Sequence, residues 1–154
     1  MDDAQAMRLA INEARAALEH GDVPVGAVVV RGDTVIAAAH NERERLQDPS
    51  AHAEVLALRA AAAATGSWRL DGATLYVTLE PCMACAGTLV NSRIDRVVFG
   101  ADDLKAGACG SLYNVCVDPR VNHSVAVTPR ILAEECGALL TDFFAAARAT
   151  GSGR

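Results

Sequence analysis

Apolar and polar positions follow two periods along the chain, and the changes of period mark its elements. Residues 3–20, DAQAMRLAINEARAALEH, put Met7, Ala10, Ile11, Ala14, Ala17 and Leu18 on one face at helical spacing, and Gly21 is a fitting stop. VGAVVV (25–30) and TVIAAAH (34–40) are short apolar runs joined by Arg31-Gly32-Asp33, which predicts a hairpin. The polar stretch NERERLQDPS (41–50) ends in a turn at Pro49 and a helix N-cap at Ser50. Residues 51–64 predict a helix stopped by Thr65-Gly66, and 73–79 a strand. Residues 82–92 predict a helix with Pro81 at or just before its first turn, and 95–101 the next strand. Scattered Gly, Asp and Pro predict a loop over 102–119, with one helical turn at 111–115. HSVAV (123–127) reads as a strand. Residues 130–147 read as a last helix, with Leu132, Cys136, Leu139, Leu140, Phe143 and Phe144 on its apolar side.

The order α-β-β-α-β-α-β-β-α predicts an α/β fold, a mixed sheet covered by helices on both faces. The 154 residues make one domain, 1–154, with 150–154 a frayed tail. An apolar fraction of 51% supplies a core and argues against disorder. A formal net charge of −5 argues against binding nucleic acid through overall charge, though a local basic patch is compatible with it. MDDAQAMRL is acidic and lacks the pattern of a secretion signal, and no apolar run approaches the roughly 20 residues that span a bilayer. A cytoplasmic protein is the expectation. The odd count of 5 cysteines argues against a disulfide framework in that compartment.

Candidate chemistry gathers at two helix starts. His52-Ala53-Glu54 opens one, and Pro81-Cys82-Met83-Ala84-Cys85 opens the other. The cysteines alone suit a redox couple, a structural zinc site or a catalytic metal site. A structural site needs four closed ligands, but Cys109, Cys116 and Cys136 form no second C-x-x-C, and they read as small buried apolar residues. His52, Cys82 and Cys85 give the three ligands of a catalytic site with one open position. Mid-helix, residues two apart point nearly opposite ways, so His52 and Glu54 share a target only if it lies off the helix tip. A dication cancelled by two thiolates acidifies water less than one held by three histidines, and a carboxylate that takes the proton compensates.

H-x-E followed by P-C-x-x-C is the signature of the zinc nucleobase deaminases. With GDVPVGAVVV (21–30), HNERE (40–44), DPSAHAEVLALR (48–59), LYVTLEPCMACAGTLVNSRIDRVVFGADDLKAGACGSLYNV (75–115), DPRVNH (118–123) and ILAEECGALLTDFF (131–144), the sequence resembles the bacterial tRNA-specific adenosine deaminases of the cytidine/deoxycytidylate deaminase superfamily. The resemblance implies a three-layer α/β/α sandwich around a mixed five-stranded sheet, one zinc per subunit and a homodimer. It implies hydrolytic deamination of the wobble adenosine of a tRNA anticodon stem-loop to inosine, with release of ammonia. His52, Cys82 and Cys85 match the zinc ligands and Glu54 the proton shuttle. Asn41 matches the asparagine that binds the flipped nucleoside. Asp103 and Lys105 match positions that contact loop sugar and phosphate, and Phe144 an aromatic beside the bound loop.

The segment FFAAARATGSGR departs from relatives that are richer in basic residues there, carrying only Arg148 and Arg154. Arg43, Arg45, Lys105, Arg120 and Arg148 are the expected local patch, which would give a log–log salt slope of about −3.5 on single-stranded RNA. Two other functions share the motifs. A deaminase of a free base or nucleoside, of guanine or cytosine type, uses the same zinc core. A non-enzymatic zinc module would close its coordination shell with protein.

Overall fold

The computed structural model of the chain describes residues 1–151. Five helices and five strands follow in the order α1 (Asp3–Ala17), β1 (Gly26–Arg31), β2 (Thr34–His40), α2 (Arg43–Leu46), α3 (Ala53–Thr65), β3 (Ala73–Leu79), α4 (Met83–Asn91), β4 (Arg96–Ala101), β5 (Ala126–Thr128) and α5 (Ala133–Ala149). The strands form one sheet in the order β2-β1-β3-β4-β5. β1 runs antiparallel to β2 and β3, while β3, β4 and β5 are parallel. The sheet is therefore mixed and five-stranded, as the resemblance implies.

Strand alternation sorts the core into two layers. Ala27, Val29, Leu75, Val77, Val97 and Phe99 join Ala57, Leu58 and Ala61 of α3 and Leu89 and Val90 of α4 on one face. Val28, Val30, Tyr76 and Val98 meet Met7, Ala10 and Ile11 of α1 and Cys136 of α5 on the other. α1 lies close on β1 because Gly26 has no side chain. A Cβ there would stand 2.0 Å from the Ala10 carbonyl oxygen. The N-terminus of α1 carries a capping box, in which Asp2 accepts from the Gln5 amide while the Gln5 side chain accepts from the Asp2 amide.

Several expectations shift at element ends. After Ala17 the chain tightens into a 3₁₀ turn, Leu18–His20, which rotates Leu18 out of the apolar stripe and leaves it 45% exposed. Ser50 is not a helix cap. Its amide and hydroxyl both bond to Asp48 at 2.8 Å, so it closes an Asx turn, and α3 starts at Ala53 with His52 as N-cap. The helical turn expected at 111–115 forms instead at Val115–Val117, because the amides of Leu112 and Tyr113 close back on the Gly107 carbonyl. The last strand is short and begins at Ala126. His123 spends its Nε2 on the Ile94 carbonyl, and the Val125 amide goes to Cys116, both outside the β4 ladder.

Left-handed backbone at Arg130 and Leu132 delays α5 to Ala133. Of its expected apolar side only Cys136 is fully buried; Leu139, Leu140, Phe143 and Phe144 are half-buried. The expected tail at 150–154 is described only to Gly151, where Thr150 and Gly151 still bond back to α5; residues 152–154, Arg154 among them, lie outside the described residues.

Candidate active site

β3 delivers Leu79-Glu80-Pro81-Cys82 to the carboxyl edge of the parallel strands, where α/β sheets place their sites. Cys82 is the N-cap of α4 and His52 the N-cap of α3, both in extended backbone, and neither helix start has a side-chain cap. Two helix N-termini therefore meet here with their positive dipole ends. Because His52 precedes the helix, the opposition between residues two apart does not apply, and Glu54 reaches the same space from the first turn.

His52 Nδ1 lies 3.6 Å from Cys82 Sγ and 3.3 Å from Cys85 Sγ. Tetrahedral zinc, with sulfur at about 2.3 Å and nitrogen at about 2.0 Å, sets a sulfur–nitrogen separation of roughly 3.5 Å. The three donors fit that ion. Hydrogen bonds from Cys85 and His52 draw the Cys82 thiol down to about 3. The same contact with Cys82, with burial behind it, pushes Cys85 up, and the bond to Cys82 raises His52. A divalent cation would bind all three as deprotonated donors and displace their protons.

Glu54 is 4% exposed. Burial pushes its carboxyl up to about 6, against the opposing pull of its own backbone amide and of His52. It lines a cavity of about 230 Å³ together with His52, Cys82, Asn41, Arg43 and Asp103.

Asn41 is 7% exposed and does two things at once. Its Oδ1 accepts from the Arg43 amide at 3.1 Å and its Nδ2 donates to the Val23 carbonyl at 3.1 Å. It caps the loop as an ordinary loop asparagine does, and it also faces the cavity. Asp103 faces the cavity too, and its carboxylate accepts from the amides of Lys105 and Ala106, each at 3.1 Å. Lys105 is exposed on that loop. Phe144 and Arg148, on α5, are not brought to the cavity; Phe144 packs edge-on against Phe143, with ring centroids 5.3 Å apart.

The five expected patch residues are not equivalent. Arg120 is held by both oxygens of Asp118, at 3.0 and 2.6 Å, and Arg45 pairs with Glu42 at 3.3 Å. Arg43, Lys105 and Arg148 have no acidic partner within 4.0 Å among the described residues.

The sequence did not single out Glu80, which is 2% exposed. Its carboxylate accepts from the amides of Asp103 (3.0 Å), Cys109 (3.1 Å) and Ser111 (3.0 Å), and from the Ser111 hydroxyl. Burial works against its charge, but these donors win and hold the carboxyl below the usual range. It fastens the 102–111 loop, and with it Asp103, beside Cys82. Gly107 makes this possible, since a Cβ there would stand 2.3 Å from the Glu80 carboxyl carbon. Glu80 follows β3 directly before Pro81-Cys82, and nothing in that placement announces its backbone partners.

The sequence profile of the MafB19-like deaminases matches residues 1–148. The tRNA-specific adenosine deaminase of Bacillus subtilis strain 168 is 52% identical over 142 residues, which is 92% of this chain and 88% of that one. A solved tRNA:A34 deaminase, studied for A-to-I editing at the wobble position of transfer RNA, superposes with a TM-score of 0.85 at 42% identity, covering 88% of this chain and 99% of the other. The guanine deaminase of Nitrosomonas europaea is a more distant neighbour: TM-score 0.79, 26% identity, 92% of this chain and 84% of that one covered. With a deaminase fold, the H-A-E and P-C-x-x-C donors brought together at one cavity, and such identity over nearly its whole length, the chain belongs to the tRNA-specific adenosine deaminase family.

Proposed function

We propose that the protein, as a single domain over 1–154, deaminates the wobble adenosine of a tRNA anticodon to inosine and releases ammonia. The observation that carries this reading is the buried Glu54 on the wall of one small cavity with His52 and Cys82, behind which Cys85 completes the donor trio. His52, Cys82 and Cys85 would hold a zinc ion, which when bound would supply a Lewis acid for a water nucleophile. Glu54 would carry two protons in turn, the first from the attacking water to the purine ring nitrogen and the second from the new C6 hydroxyl to the amino group, which leaves as ammonia. Burial, which raises this carboxyl, favours its taking up a proton. Asn41, its amide fixed by Val23 and Arg43, orients the base.

The cavity, at about 230 Å³, is smaller than the roughly 300–1,000 Å³ of drug-sized pockets. It suits one flipped nucleoside, with the remainder of the loop lying outside. Asp103 and Lys105 stand at the mouth on the Glu80-fastened loop and contact sugar and phosphate; Phe144 and Arg148 meet the loop farther out. With Arg45 and Arg120 occupied by acids, three cations remain, so the log–log salt slope of binding should be about −2.

Met83, Leu104, Leu112 and Tyr113, on α4 and the neighbouring loop, are 51%, 77%, 51% and 52% exposed, which supports a homodimer through this side. No helix among the described residues is long and apolar enough to cross a membrane. A tRNA substrate places the reaction in the cytoplasm.

The test is zinc analysis of the purified protein with inosine detection on a wobble-A anticodon stem-loop, free adenosine and free guanine. Activity on the stem-loop should far exceed that on free adenosine, because binding energy from the loop orients the base. Comparable rates on the two, or release of ammonia from guanine, would favour the free-base alternative.

A further inference from the structure

A second set of donors stands apart from the cavity. His20 ends the 3₁₀ turn after α1, His40 ends β2, and Glu42 is the N-cap of α2. One nitrogen of each ring and one Glu42 oxygen lie within 4.8 Å of one another. The rings are tilted by 33°, with centroids 5.2 Å apart. Each ring is held from behind by a carboxylate. His20 Nδ1 meets Asp22 at 2.7 Å, and His40 Nδ1 meets Glu13 at 2.9 Å.

An ionised carboxylate only accepts hydrogen bonds, so each Nδ1 carries a hydrogen and each Nε2 of a neutral ring presents a lone pair. Both Nε2 atoms are buried and have no hydrogen-bond partner among the described residues. Protonating both would set two cations face to face, and the nearby Glu42 is already shared with Arg45 at 3.3 Å. One cation that accepts both lone pairs satisfies both rings at once. Carboxylates behind the rings are the arrangement that fixes the tautomer of metal-binding histidines and raises their basicity.

We propose that His20 Nε2, His40 Nε2 and a Glu42 oxygen form a second metal site, separate from the cysteine centre, for a divalent first-row transition ion of the zinc class. Two imidazoles and one carboxylate suit that class, whereas magnesium and calcium prefer oxygen throughout. Side-chain exposures of 16%, 20% and 24% keep the three ligands close to the surface, although the two Nε2 atoms themselves are covered. The ligands come from three separate elements, so the ion ties the end of α1 to the β2–α2 corner. His40 and Glu42 also flank Asn41, and the ion would brace that wall of the cavity.

The experiment loads tag-free, chelator-stripped protein with Co²⁺ and then Zn²⁺, following absorbance and bound metal per chain. Wild type should take two equivalents, one with intense thiolate-to-metal absorption and one with weak ligand-field bands only. His20→Asn/His40→Asn should keep the thiolate band and lose the second equivalent. Cys82→Ala should do the reverse, so failure of the cysteine centre and failure of this site are told apart. Glu13→Gln, which leaves both rings in place, is a milder check, with a 10–100-fold loss of affinity at the second site alone. A single equivalent in wild type, a second equivalent that survives in the double variant, or equal occupancy by Mg²⁺ would overturn the proposal.

Discussion

Glu54 and Glu80 line the same cavity, and burial hides them almost equally, at 4% and 2% exposed. Their carboxyls nevertheless move in opposite directions. Glu54, at the first turn of α3, has burial as its dominant influence and rises to about 6. Glu80, at the end of β3, feels burial too, but three backbone amides and the Ser111 hydroxyl converge on it and pull it down. Low exposure alone therefore does not fix the role of an acid; how deeply the carboxyl is desolvated and how many donors are supplied with it do so together. The under-supplied carboxylate is ready to take a proton, and the fully supplied one is a strut that holds the loop bearing Asp103.

The sharpest way to break this contrast is to remove each carboxylate charge in turn. Glu54→Gln should lower deamination of an anticodon stem-loop by about 10²–10⁴-fold, the usual scale of a general acid–base group, with zinc content and secondary structure unchanged. A variant of near-normal rate would show that Glu54 is not the proton carrier. Glu80→Gln should act through the fold. It replaces a charge that accepts four hydrogen bonds with an amide that turns a donor toward donors. Hydrogen bonds to charged groups contribute about 1.5–3 kcal/mol each, so a loss of about 3 kcal/mol is expected. That corresponds to a fall in Tm of roughly 6–12 °C for a chain of this size, readable by calorimetry. Deamination should fall less in Glu80→Gln than in Glu54→Gln, and an unchanged Tm would contradict the strut.

The same contrast shows what could be seen in the sequence. His52, Glu54, Cys82 and Cys85 were legible because their chemistry is written in short spacings at two helix starts. The sheet was legible because its strands are short apolar runs bounded by turn residues. Glu80 was not legible, since its partners are backbone amides of a loop more than twenty residues onward, and any residue type supplies an amide. The true helix start at His52 was hidden by Ser50, a good cap by composition whose bonds Asp48 takes instead. The local acidic partners of two members of the expected basic patch, Asp118 on Arg120 and Glu42 on Arg45, were not legible, because they depend on local geometry. The facing of His20 and His40 depends on a contact between the end of α1 and the end of β2 that no local pattern announces.

The smallest effect expected concerns stability and its sign with pH. Folding raises the Glu54 carboxyl from the ordinary 4.5 to about 6, so between those values the folded protein binds more protons than the unfolded chain. Stability in the metal-free protein should therefore fall as pH rises through this window, and above about 6 the whole penalty is present. A shift of 4.5 to about 6 corresponds to about 2 kcal/mol. Glu54→Gln removes the titration, so at pH 8 the metal-free variant should be more stable than wild type by about that amount, with the gap closing toward pH 4. Glu80 runs the other way. Its lowered carboxyl stabilises the fold above the ordinary 4.5, and that contribution is lost as pH falls through the folded value. Glu80→Gln should thus differ most from wild type at neutral pH and least in acid, while remaining the weaker protein. Denaturant unfolding of the three metal-free, reduced proteins at pH 5 and pH 8 measures both trends. If Glu54→Gln gained nothing at pH 8, the carboxylate would have donors enough in the folded protein, and the contrast between the two glutamates would fail.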